Sequence, residues 1–178
     1  FSVLEFVKMM KIFLKNNIAL QLLSNLIFIF YIFCFSTIIL TFSFSLSTKM
    51  LFFLILLICI ASDIGGFVFG KTFKGPKLTK VSPNKTISGV AGSLIFSSVL
   101  AIILIYFFNK SFDLNVAIIG LITSFGCQTG DLFFSLLKRK SSLKDTGNFL
   151  PGHGGILDRI DGILIGIPVG FFSLLVIY

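Results

Sequence analysis

Asp158 and Asp161 stand three residues apart in GGILDRID, while Asp131 and Asp63 each interrupt an apolar run, FGCQTGDLFFSLLKR and CIASDIGGFVFG. On a helix beginning near Asp158 that spacing puts both carboxylates on one face. An ionisable residue inside an apolar span costs a few kcal/mol on insertion scales and is a functional candidate by default. The competing reading, weaker for Asp131 than for Asp63, is an Asp paired with a Lys that ties helices together. Carboxylates converging in hydrophobic surroundings call for a cation. Hard oxygen ligands suit Mg²⁺, which commonly binds through one or two carboxylates together with substrate phosphates.

Phosphate-binding chemistry lies close by. In PGHGG, Pro151 stops the preceding structure, and the glycines allow a ligand near the backbone and conformations with positive φ. A helix N-terminus just after such a turn is a ready anion site, and Arg159 points toward a phosphate or another acid. His153, the only histidine, has no companion ligands for zinc. It serves either to hydrogen-bond a phosphate or an Asp, or to shape the turn. A second loop, GKTFKGPKLTKVSPNKTISGVAGS, sets Ser82 before a Pro and Lys85-Thr86 at the start of a span. Its basic side chains and helix N-terminus suit a polyphosphate, although the GxxxxGK[ST] spacing of a P-loop is absent. The small residues Ser88, Gly89, Gly92 and Ser93 equally suit close helix packing.

The elements that must position these residues are membrane helices. The chain is 56% hydrophobic with mean hydropathy +1.04 and 24 Phe, and 12% of its residues are charged, against about 25% in soluble domains. Five apolar runs (Ile18–Leu40, Met50–Phe69, Thr86–Phe108, Phe112–Leu137 and Ile160–Ile177) are long enough to cross a bilayer. In lipid each must satisfy its own backbone as a helix. The fold class is therefore all-α, a polytopic membrane helical bundle of about five transmembrane helices. A short N-terminal amphipathic helix, FSVLEFVKMMKIFLK, precedes them. This stretch lacks the layout of a signal peptide; with no Met at its start, the chain is expected to be a fragment lacking N-terminal sequence.

Charge placement supports this layout. Lys8, Lys11, Lys15, Lys71, Lys74, Lys77, Lys80, Lys85, Lys138, Arg139, Lys140, Lys144 and Arg159 fall on one side, and only Lys49 and Lys110 on the other. The positive-inside rule puts the first set in the cytoplasm. Orientation and attraction to anionic headgroups suffice for residues such as Lys11 and Lys140. They do not explain why the same loops hold most of the Gly, Pro and acidic residues. Glu5 and Asp113 sit at interface positions and call for no special account. Cys34, Cys59 and Cys127 fit neither a zinc site nor a disulfide framework and are expected to be buried as small hydrophobes.

The stretch SLLKRKSSLKDTGNFLPGHGGILDRID resembles the C-terminal signature of the phosphatidate cytidylyltransferases, the CDP-diacylglycerol synthases. The matching positions are Ser135, Lys138, Arg139, Lys144, Asp145, Pro151 to Gly155, Asp158, Arg159 and Asp161. Upstream, QTGDLFFS resembles the family's Gln-x-Gly-Asp-Leu segment through Gln128, Gly130 and Asp131, and SDIGGFVFGK and SPNKT resemble two further family segments. The likeness spans residues 61–161, within a single membrane-embedded catalytic domain over 1–178. Three positions depart from the family pattern: Phe134 and Ser88 stand where Glu is usual, and Gly162 where Ser is. Phe134→Glu is expected to be tolerated.

The resemblance implies Mg²⁺-dependent attack of the phosphate of phosphatidate on the α-phosphorus of CTP, with room for a second cation. The products are CDP-diacylglycerol and pyrophosphate. Residues and resemblance together make Asp131, Asp158, Asp161 and Lys144 the catalytic set. The expected metal ligands are Asp131, Asp158, Asp161 and, with less claim, Asp63; the substrate contacts are Ser82, Lys85, Thr86, Gln128, Lys138, Arg139, His153 and Arg159. Asp158→Asn is expected to abolish turnover and leave membrane insertion intact. The expected partners are CTP, phosphatidate and membrane lipids, with no nucleic acid, and a homodimer stays open. The expected location is the bacterial inner membrane, with the site loops cytoplasmic. Three rivals differ in chemistry. A CTP-dependent lipid-alcohol kinase would transfer the γ-phosphate; a CDP-alcohol phosphotransferase would need a DGxxAR-type cluster, which is absent; an ion transporter would need polar residues near the acids on the far side.

Overall fold

The structure, a computed structural model, describes residues 1–79, 81–110, 113–147 and 154–177. Six helices follow one another: α1 (Ser2–Phe13), α2 (Ile18–Phe42), α3 (Leu46–Phe73), α4 (Ile87–Asn109), α5 (Asn115–Lys140) and α6 (Leu157–Ile177). The last five are each long and apolar enough to cross a membrane. Their number matches the five runs read from hydropathy. The ends shift by local capping. Ser45 and Thr48 form a capping box that starts α3 at Leu46, and the Asn17 side chain accepts a hydrogen bond from Leu20 N at 3.1 Å to start α2. Thr86, expected as the first residue of its span, is instead the cap of α4, its Oγ1 accepting from Gly89 N at 3.1 Å.

Backbone proximity is set by glycine. A Cβ on Gly65 would lie 2.6 Å from the carbonyl oxygen of Gly92, and one on Gly130 would lie 2.6 Å from that of Asp161. Small residues thus let α3 press on α4 and α5 on α6, the usual way helices associate where lipid removes the hydrophobic drive. The second of these contacts places Asp131 beside the first turn of α6. On the outer surface, Phe30, Phe33, Phe67, Phe125 and Phe172 are all exposed, and α2 buries only Asn25, Phe28 and Phe42. A helix apolar all round in this way suits a lipid surround.

The short helix α1 lies against the ends of its neighbours. Its inner face, Phe6, Met9 and Met10, joins Phe28, Phe134, Leu157 and Leu164 in one buried cluster. Phe6 stacks on Phe28 with ring centroids 3.9 Å apart, and Phe134 meets Phe28 edge-on at 6.2 Å. Phe134 is 3% exposed, so the expectation that Glu would be tolerated there is overturned: a carboxylate would sit in an apolar cluster. A second cluster contains Ile55, Cys59, Cys127 and Ile167. Cys59 and Cys127 are buried as expected, whereas Cys34 is only half-buried because α2 turns most of its surface outward.

Candidate active site

At the end of the bundle where α3 finishes and α4 and α6 begin, a cavity of about 340 Å³ opens. It is lined by Asp63 and Gly66 from α3, by Asn84, Lys85 and Thr86 ahead of α4, by Gln128 and Asp131 from α5, and by Asp158, Arg159 and Asp161 from α6. All four carboxylates singled out in the sequence therefore share one space, although up to 98 residues separate them in the chain. The approach to α4 is folded back on itself to present Lys85. Leu78 N donates to Lys85 O at 2.8 Å and Ile87 N to Pro76 O at 3.1 Å, while Ser88 Oγ donates to the carbonyl of Lys74. Ser88 therefore closes this loop, a use that accounts for a hydroxyl at that position.

Two lysines organise the charge. Lys85 pairs with Asp131 across α4 and α5. Lys138 Nζ lies 2.8 Å from Asp158 Oδ1 and 3.6 Å from Asp161 Oδ2, so one ammonium bridges both acids of α6. This satisfies the expectation that they share a face and sets Lys138 against protein carboxylates. Asp158 is more heavily used still. Its Oδ2 accepts from Thr146 N at 2.8 Å and from Gly155 N at 2.9 Å. A carboxylate has about four acceptor positions, and the described residues take three of those of Asp158. Asp161 accepts from its neighbour Gly162 N at 2.9 Å. Asp63 accepts no hydrogen bond from any described residue.

Other expected residues fall outside the cavity lining or are committed to local structure. Arg139 and Lys144 are exposed. Ser82 sits in a turn, its N–H donating to Thr79 Oγ1 at 3.2 Å and its carbonyl accepting from Lys85 N at 3.1 Å. Thr86 lines the cavity but its hydroxyl is committed to the cap of α4. His153 lies outside the described residues, as do Pro151 and Gly152. The N-terminus of α6, read as an anion site, is already occupied by protein: Gly155 N donates to Asp158, and Ile156 N and Leu157 N donate to Glu5 at 3.0 and 2.8 Å.

That finding also corrects the reading of Glu5. Placed at an interface by hydropathy, it is 7% exposed and bonded to a loop more than 140 residues away. Nothing local in the sequence signals it except an acid on the inner face of an amphipathic helix. Asn84 was likewise missed, its only signal being its place next to Lys85. Gln128, by contrast, was expected and is found. Its Nε2 is buried and finds no hydrogen-bond acceptor among the described residues. Such a donor is costly unless an acceptor arrives, and it lines a cavity.

The donor set can be tested against a hard divalent cation. Four carboxylates face Lys85 and Arg159 inside the cavity, with Lys138 behind two of them. The ammonium groups of Lys85 and Lys138 sit on carboxylate oxygens much as a cation would, and negative charge is left in excess. All donors are oxygens, which fits Mg²⁺ by ligand type. Among the described residues, no three His, Cys, Asp or Glu side chains are gathered tightly enough to enclose an ion by themselves. Mg²⁺ usually keeps several waters or substrate phosphates in its shell, so a full protein cage is not required.

Fold and site together define a polytopic α-helical membrane protein with a carboxylate- and lysine-lined cavity at one end of its bundle. The chain belongs to the cytidylyltransferase family, whose sequence model matches residues 1–177. It is 40% identical over 132 residues to a phosphatidate cytidylyltransferase of Rickettsia felis, covering 67% of this chain and 57% of that protein. It is 43% identical over 119 residues to a phosphatidate cytidylyltransferase of Haemophilus influenzae, covering 64% and 41%. It is also 43% identical over 112 residues to one of Staphylococcus haemolyticus, covering 61% and 42%. The chain spans about half the length of the curated relatives it matches.

Proposed function

We propose that this chain carries the nucleotide- and metal-binding half of a phosphatidate cytidylyltransferase. In that reaction an oxygen of the phosphatidate phosphate bonds to the α-phosphorus of CTP as the α–β bridging P–O bond breaks. Pyrophosphate leaves with the electron pair, and the lipid becomes CDP-diacylglycerol. Both substrates are polyanions, so positioning and charge neutralisation carry the catalysis and no protein nucleophile is needed. The observation that bears most weight is the cavity in which four acids, Lys85, Arg159 and a Gln128 Nε2 with no acceptor among the described residues come together.

In this reading Lys85, Asn84, Gln128 and Arg159 hold the triphosphate. Mg²⁺ would be held by Asp131 and Asp161, with Asp63 and Asp158 beside them. Bound there, it would offset charge on the phosphates and make the α-phosphorus more electrophilic. Lys138 keeps Asp158 and Asp161 aligned, and the pair between Lys85 and Asp131 holds the ammonium at the cavity wall until a phosphate competes for it. Among the described residues the cavity lies at the end of the bundle that carries 12 Lys and Arg residues, with only Lys49 and Lys110 at the other, which supports a cytoplasmic site by the positive-inside rule. A lipid phosphate at the bilayer surface and a nucleotide in the cytoplasm can both reach such a place.

The test uses the full-length protein in membranes with phosphatidate and CTP labelled at either the α- or the γ-phosphate. Label from the α-position should enter the lipid, with release of pyrophosphate and loss of turnover on chelation of Mg²⁺. Label from the γ-position in the lipid would make it a kinase and overturn the proposal.

A further inference from the structure

Glu5 reaches the catalytic end of the bundle from the opposite end of the chain. Its Oε1 accepts from Ile156 N at 3.0 Å, and its Oε2 accepts from Leu157 N at 2.8 Å and from Thr146 Oγ1 at 3.0 Å. The same short segments are gripped by Asp158, whose Oδ2 takes Thr146 N and Gly155 N. Glu5 and Asp158 thus hold Thr146 from two sides and take three consecutive N–H groups, those of residues 155–157, at the start of α6. The carboxylate is also seated by shape. A Cβ on Gly147 would lie 2.8 Å from Glu5 Oε1, and one on Gly155 would lie 2.6 Å from Glu5 Oε2. Two glycines leave the room that the Glu5 carboxylate fills, and neither has positive φ. Helix α1 is fixed in turn by its buried face and by Ser141 Oγ, which donates to Met9 O at 3.2 Å at the end of α5.

We propose that Glu5 is a positioning residue for nucleotidyl transfer, clasping Thr146 and residues 155–157 so that Asp158 and Asp161 face the cavity in register with Asp131. This rests on the cytidylyltransferase reading above. Glu5 does not line the cavity and touches no substrate in this arrangement. It acts through the first turn of α6, where the two acids that meet Lys138 are carried. An isosteric Gln keeps one acceptor oxygen but presents an NH₂ group to N–H or O–H donors already in place, so at least one of the three hydrogen bonds must be lost.

The experiment measures CTP and phosphatidate kinetics of full-length protein in membranes, alongside amide hydrogen exchange over residues 155–161. Glu5→Gln should lower kcat by roughly ten- to a hundredfold, as sub-ångström to ångström displacement of reacting groups does. KM for CTP should change much less, because Lys85 and Gln128 come from other elements. Exchange at Ile156 and Leu157 should rise. Gly147→Ala should lower kcat in the presence of Glu5 and have no further effect in a Glu5→Ala background, where the methyl has room. Unchanged kcat and exchange in Glu5→Gln, or additive losses in the double variant, would overturn the role of Glu5 even with the wild type fully active. A wild type that forms no CDP-lipid would instead remove the cytidylyltransferase reading, while the exchange result would still report on the clasp. Should Glu5→Ala fail to accumulate, Glu5→Gln with Gly147→Ala decides the matter: each must lower kcat, and an unaffected Gly147→Ala counts against the clasp.

Discussion

Lys138 Nζ lies 2.8 Å from Asp158 Oδ1, joining the last turn of α5 to the first turn of α6 across 20 residues of chain. Side chains on both sides are largely withdrawn from solvent, at 13% and 10% exposure. Removing one partner of such a pair leaves a buried uncompensated charge, typically at a cost of about 3–5 kcal/mol. Lys138→Met should therefore lower the melting temperature in detergent as well as activity. Lys138→Met with Asp158→Asn should recover part of the stability and none of the activity. The same geometry bears on Asp158→Asn alone: besides turnover it should loosen Thr146 and Gly155, visible as faster amide exchange at both.

Asp131 behaves differently because its pair with Lys85 is partly open, with the carboxylate about a third exposed. Exposed pairs contribute about 0–1 kcal/mol. Asp131→Asn should leave thermal stability almost unchanged while cutting turnover by about 10²-fold or more, the scale seen when one preorganised electrostatic group is removed. Coincident loss of folding and activity would show that the residue is structural.

Gln128 offers the reverse signature. Its buried Nε2 has no acceptor among the described residues, so Gln128→Leu removes an unsatisfied donor and should hold or slightly raise stability. It should raise KM for CTP by roughly tenfold, the loss of about one good hydrogen bond to a charged group. Steady-state kinetics over a CTP series checks it.

Phe134 fills the cluster shared by α1, α2, α5 and α6. Phe134→Ala should destabilise by about 3–5 kcal/mol, and Phe134→Glu by no less, since the carboxylate would be buried without a partner. Both are read as folded yield and melting temperature in detergent. Normal yield of Phe134→Glu would mean that this cluster opens to water.

The residues differ in how plainly they announced themselves. Asp63, Asp131, Asp158 and Asp161 were legible because a charge inside an apolar run is conspicuous whatever the fold. Lys85 and Gln128 were legible through motif resemblance. Lys138 was singled out, but its pairing with Asp158 and Asp161 was not foreseen, since nothing in KRK says which of three basic side chains turns inward. Arg139 and Lys144 sit in the same basic run yet remain exposed. Glu5 was passed over because its partners lie more than 140 residues away.

The sequence by itself determined that five helices of membrane length exist, because bilayer thickness and the need to satisfy backbone groups in lipid act on each segment separately. It also determined which acids stand out against the apolar runs. Tertiary structure alone decided which ammonium meets which carboxylate, that Glu5 clasps the start of α6, and that Phe134 is core. Those outcomes depend on helix rotation and on the close approach permitted at Gly65, Gly92 and Gly130. A single charge or phenyl ring can serve either face of a helix until a neighbour is packed against it.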